Sequence, residues 1–235
     1  MPHYPRAPIW EAVIEFRFAK PIEHKVLEKA AKQLKTYPFS ENEQGLELRP
    51  DGRALPVQTG IKLSSLDRTD VVIFRTTTFV CSRLAPYTRW EDLRGRAEES
   101  WRVLRRKVQD ITISRIGVRY LNRIDVPSES GRVNVEDYIT VFPVVPGTVE
   151  RPMAQYVMQV VAPIGADQCQ MVLNTATVPS PLIGHSSFIL DLDVYREASL
   201  PKRDDELWAL TERMRGYKND LFESLVTDRA RELFR

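Results

Sequence analysis

Apolar and polar residues alternate across positions 11–18 (EAVIEFRF). Ala12, Ile14, Phe16 and Phe18 fall on one side, and Glu11, Glu15 and Arg17 fall on the other around Val13. A period of two marks a half-buried strand. After Pro21 the period changes. Ile22, Val26, Leu27, Ala30, Ala31 and Leu34 recur at helical spacing and predict a helix from Pro21 to about Tyr37, ahead of Pro38. The polar, glycine-containing stretch that follows carries no period. Three runs rich in β-branched residues, at 57–64, 71–76 and 78–84, then predict strands. A second helix is expected over 89–109, where Trp90, Leu93, Ala97, Trp101, Leu104 and Val108 alternate spacings of three and four.

The same succession then returns. A strand is expected at 112–126, a short helix at 135–140, strands at 155–163, 169–176 and 187–196, and a long helix from Asp204. That last helix carries Leu207, Leu210, Met214, Tyr217, Leu221 and Leu225 as one stripe, suited to the protein's own sheet or to a second subunit. The expected fold class is therefore α+β: two β-α-β-β-β-α halves, 1–110 and 111–235, forming one compact unit. Antiparallel sheet packed by long amphipathic helices follows, because connections this short cannot join parallel neighbours. The segment 142–152 (FPVVPGTVERP), with three prolines and a glycine, reads as a connector.

Composition narrows the class further. A chain of 235 residues with 43% hydrophobic content can bury a substantial core. The apolar run 157–164 is broken by Gln159 and is much shorter than the ~20 residues of a membrane helix. Cys81 and Cys169 stand far apart without metal or redox spacing, so a cytoplasmic protein with reduced thiols, no cofactor and no membrane association is expected. Residues 1–110 hold 20 basic and 15 acidic side chains and residues 111–235 hold 14 and 17, so the net +2 divides into +5 and −3. Neither half has the cationic excess of a protein that coats DNA.

Within the strand expected at 112–126, RIGVRYLNRID places Arg115, Arg119 and Arg123 on one face, opposite Ile116, Val118, Tyr120 and Ile124 with Asn122. At about 3.3 Å per residue the arginines lie ~13 Å apart, a spacing suited to a polyanion rather than to one small ligand. In FILDLDVYRE, Asp191 and Asp193 share the face opposite Leu190, Leu192 and Val194, and Glu197 follows. If the two strands are neighbours, an ionic lattice between them competes with anion or partner binding as the role of the arginines. A second basic group, Arg102, Arg105, Arg106 and Lys107, ends the second helix. It either complements the helix dipole or extends a nucleic-acid track, with Asp92–Arg96 and Glu98–Arg102 expected as i, i+4 pairs.

No phosphate-binding glycine loop, nucleophile elbow or HExxH motif is present, and His3, His24 and His185 are scattered. GHSS at 184–187 reads as a polar turn, and Asp204 with Asp205 as the start of a helix. PRAPIWEAVIEFRF, APYTRWEDL, RIGVRYLNRIDVP and KNDLFESLVTDRARELF, in that order along nearly the whole chain, resemble the signature blocks of a bacterial family sporadically distributed among genomes, with no assigned activity. The resemblance implies an accessory role, of the kind carried on genomic islands and including defence loci, and it brings no catalytic residue. Three readings stay open: a non-enzymatic interaction protein with a protein partner or a second copy of itself, a nucleic-acid binder, and an enzyme without a familiar motif.

Overall fold

The computed structural model describes residues 4–48, 54–108, 110–128, 133–148 and 155–235. Their elements run β1 (Ile9–Phe18), α1 (His24–Ala31), β2 (Phe39–Leu48), β3 (Ala54–Ser64), β4 (Asp70–Arg75), β5 (Thr78–Leu84), α2 (Trp90–Arg105) and β6 (Ile113–Pro127). A single 3-10 turn (Val135–Asp137), β7 (Val157–Ile164), β8 (Cys169–Val178), β9 (His185–Arg196), α3 (Asp204–Leu225) and α4 (Asp228–Phe234) follow. The fold is α+β, with an antiparallel sheet of nine strands in the order β2-β3-β4-β5-β1-β6-β9-β8-β7.

Several expectations need correction. The polar stretch after Pro38 is a strand, β2, which pairs along its length with β3 and is interrupted by a bulge at Glu43/Gln44. The first helix starts at His24 and ends at Ala31. The helix expected at 135–140 is only a 3-10 turn, and the last helix divides into α3 and α4, where the Thr227 hydroxyl caps the second by accepting from the Ala230 amide at 3.3 Å. The element order is therefore not repeated as expected, since four strands rather than three separate α1 from α2. The second helix ends at Arg105. Its expected last residue, Gln109, and residues 149–152 of the expected connector lie outside the described residues.

The chain divides into two compact units: Ala12–Gly117 with Glu197–Leu207, and Met1–Glu11 with Val118–Arg196 and Trp208–Arg235. In the first, α1 and α2 pack on β3, β4 and β5. Its centre is aromatic: the Trp101 ring lies 5.1 Å from Phe16 and 5.6 Å from Phe79, which stacks on Phe74 at 5.8 Å. The heptad-like spacing of α2 carries Trp90, Leu93, Ala97, Trp101 and Leu104 into this core.

In the second unit the core joins Ile124 and Val126 of β6, Leu173 of β8, Phe188, Leu190 and Leu192 of β9, and Phe222 and Leu225 of α3. The buried stripe of α3 runs Leu207, Leu210, Met214, Lys218, Phe222, Leu225, so the position expected for Tyr217 is taken by a lysine. Tyr217 instead fixes the β7–β8 hairpin. Its hydroxyl donates to Asp167 at 2.6 Å and accepts from the Ala166 amide at 3.3 Å. Its ring lies against Gly165, whose φ of +68° suits a residue without Cβ; an added Cβ would fall 2.3 Å from the ring.

Candidate functional site

From Val118 onward β6 obeys the expected alternation. Val118, Tyr120, Asn122, Ile124 and Val126 are buried, while Arg119 is exposed and Leu121, Arg123 and Asp125 are half-buried. Asn122 is tolerated on the core side because its amide donates to the Leu190 carbonyl at 2.9 Å. Four residues earlier the alternation fails: Arg115 is buried beside Ile116, Gly117 and Val118.

Each arginine of the stripe has a carboxylate. Arg119 donates from Nε to Asp191 Oδ1 at 2.7 Å and from Nη2 to Oδ2 at 2.8 Å, a bidentate fork. The hydrogen bond to Asp191 holds the Arg119 guanidinium above its ordinary pKa, with the charges of Asp193 and Glu11 adding to it. Asp191 itself is almost fully buried while the Arg119 side chain is half exposed. Arg115 donates to Glu15 Oε1 at 2.8 Å and lies 3.8 Å from Glu197. Arg123 donates to Asp125 at 3.1 Å and sits 5.0 Å above the exposed Trp10 ring; Asp125 also accepts from the Ser187 hydroxyl at 2.5 Å.

The Asp191 contact is one rung of a longer row. Asn174, opposite Asp191 in the β8–β9 register, donates to Asp191 Oδ2 at 3.1 Å. Gln159, opposite Asn174 in the β7–β8 register, donates to Asn174 Oδ1 at 2.7 Å. A polar line Arg119–Asp191–Asn174–Gln159 thus crosses the sheet to its β7 edge. Exposed Val157 and Val161 flank its end. Sequence reasoning reached Arg119 and Asp191 but not Asn174 or Gln159, and Gln159 had one visible signal: it is the polar break in an apolar run.

On the core side of this unit, Lys218 is buried with its ammonium 3.6 Å from the Tyr120 ring centroid. Burial pulls its pKa down to about 7, Arg215 acts in the same direction and Glu223 opposes them.

The secondary basic patch lies on the other unit. Arg105 is drawn to Asp204 at 3.6 Å and lies over Trp101, whereas Arg102, Arg106 and Lys107 are exposed. The expected helix pairs are exchanged: Asp92 bonds Arg89, Glu98 bonds Arg94, and Arg96 reaches Asp70 at 2.7 Å. A cavity of about 400 Å³ beside this patch is bordered by Arg105, Thr112, Glu197, Lys202 and Asp204, a lining of mixed charge. At GHSS, the His185 Nδ1 lies 3.0 Å from the Ile183 carbonyl oxygen and opens β9.

No family model matches the chain. No curated protein matches it either. Among solved structures, Methanococcus jannaschii TBP aligns at 13% identity over 92% of this chain and 99% of that one, with a TM-score of 0.28, too low to carry an argument about fold or function. No helix among the described residues is long and apolar enough to cross a membrane.

Proposed function

We propose that the chain is a non-enzymatic binding protein that engages a protein partner through the sheet face bearing Arg119. The observation that supports this reading is the polar row from Arg119 to Gln159. Its charge is already neutralised in place by Asp191, so the face offers a protein surface a preorganised set of hydrogen-bonding groups beside exposed valines. A phosphate backbone would instead favour guanidiniums without carboxylate partners. The family resemblance supports an accessory, genomic-island role, including defence, in the cytoplasm. We also read residues 1–110 and 111–235 as two versions of one layout, each a strand, a helical element (α1 in one, the 3-10 turn in the other), a run of four or three strands and a long helix.

The test is co-purification of the wild-type chain and of Arg119→Glu with the products of neighbouring genes. A partner retained by the wild type and lost by Arg119→Glu is expected. Retention by both, or no partner for either, overturns the reading.

A nucleic-acid reading draws on a different observation, the exposed Arg102, Arg106 and Lys107. It requires a gel shift at low salt that fades as salt rises and is lost when the three are changed to Gln.

A further inference from the structure

We infer that β7 is a homodimer interface, at which two copies of the chain join edge to edge in one antiparallel register centred on Gln159. In the order of the described strands β7 stands last. Its eight residues, VMQVVAPI, include no ionisable side chain. An unprotected apolar edge of this kind is a template for another strand. The opposite edge is different: β2 carries the charged Glu41 and Glu43, tied to Arg68 and Arg75, and its ladder is interrupted at Glu43/Gln44.

Backbone and side chains together select the register. In an antiparallel strand, one residue sends its N–H and C=O to the same side. The Tyr156 carbonyl accepts from the Thr177 amide at 3.1 Å, so even-numbered positions of this segment face β8. Val157, Gln159 and Val161 therefore turn their backbone groups to the side away from β8, where no described strand lies, as does Pro163, which has no N–H to give. A two-fold axis through Met158 or Val160 would set Gln159 opposite Val157 or Val161 and leave the exposed valines uncovered by one another, so the axis is placed on an odd-numbered residue. Centring on Val161 would set Pro163 opposite Gln159 and forfeit bonds. Centring on Gln159 sets Val157 opposite Val161 of the second copy and Gln159 opposite itself, each as a hydrogen-bonded pair, and leaves Pro163 beyond the ladder.

Side chains agree with that choice. Val157 and Val161, 84% and 57% exposed, cover one another on the outer face. Met158 meets Val160 of the second copy on the other face, where both already pack against the core. The two Gln159 side chains, each tied to its own Asn174, meet at the axis and carry the polar row from one copy into the next.

The experiment is sedimentation of the full chain with residue-specific cross-linking. The wild type is expected at twice 27.1 kDa at micromolar concentration. Val157→Lys/Val161→Lys is expected at the monomer mass with unchanged circular dichroism and Tm, because both side chains are exposed. Gln159→Cys should form a disulfide between copies on mild oxidation, since hydrogen-bonded pairs stand about 5.5 Å apart at Cα; Val157→Cys should not. The two native cysteines are buried and do not confuse the reading. A monomeric wild type, a dimer that survives the double lysine change, or equal cross-linking by both cysteine variants would overturn the inference. It does not depend on the partner reading, which is tested with Arg119→Glu.

Discussion

The centres of the two units differ in the polarity they enclose. The centre of the unit built on α2 is a set of interlocked rings, Phe16, Phe74, Phe79 and Trp101, each fully buried. The centre of the unit built on α3 keeps polar groups among its aliphatics: Asn122 on the Leu190 carbonyl, the Tyr156 hydroxyl 2.7 Å from Thr175, and Lys218 under Tyr120. The arginine stripe departs from that contrast: Arg115, in the ring-centred unit, is enclosed with its carboxylate, whereas Arg119, in the other, stands half in solvent. An apolar ring cluster gives stability that is indifferent to pH. A core with a lysine in it gives up stability and becomes sensitive to pH, and this same unit carries the polar row and β7, the last of the described strands.

The largest effect tests the dry side of that contrast. Trp101 contacts three phenylalanine rings, and its indole Nε1 donates to Asp204 at 3.1 Å. Trp101→Ala removes the ring, leaves a void that the surrounding rings cannot fill, and should cost about 3–5 kcal/mol by urea unfolding. A loss under 1 kcal/mol would show that the cluster does not hold this unit together.

A change of opposite sign is expected in the other unit. An ammonium in an apolar core is disfavoured in its charged form, so folded Lys218 releases its proton near pH 7 whereas an unfolded lysine holds it to about 10.5. Between those values the unfolded chain binds more protons, and by linkage stability rises with pH across that window and levels off below it, where the penalty is complete. Lys218→Met keeps the stem, removes the charge and forgoes the contact with Tyr120. It should stabilise the protein by on the order of 2 kcal/mol at neutral pH, and the pH slope from 7 to 10.5 should flatten. An unchanged slope in the variant would mean that the folded lysine keeps its proton.

Lys218 also shows where legibility stops. Strands with strong β-branched content declared themselves, and β5 occupies the very residues 78–84 that its composition marks. The strand β2 did not, because an edge strand solvated on both faces has no apolar period to read; pairing with β3 makes it a strand. On α3, spacings of three and four fit both Tyr217 and Lys218, and apolar character alone favoured the tyrosine. The fold chose the lysine, whose long stem reaches under Tyr120, and sent Tyr217 to Asp167. The α2 ion pairs were misread for a similar reason: Arg96 has a stronger claim from Asp70, on another element, than from Asp92 along its own helix. At the candidate site, residue alternation located Arg119 and Asp191, but Asn174 and Gln159 join them only through strand register.

The smallest effect separates the two arginines of the stripe. Arg115 has only 8% of its side chain exposed and meets Glu15, so Arg115→Met takes away the buried cation of a carboxylate that keeps the exposed Arg17 at 2.7 Å, and should cost about 2 kcal/mol. Arg119 is 51% exposed, and Asp191, though almost fully buried, keeps the Asn174 amide as a donor when the guanidinium is gone. Arg119→Met should therefore cost about 1 kcal/mol or less in thermal unfolding. The two variants, measured side by side, distinguish an arginine held for architecture from one held at a surface. If Arg119→Met proves the more damaging, Asp191 depends on the guanidinium for its burial, and the polar row is part of the framework of the sheet rather than a surface laid on top of it.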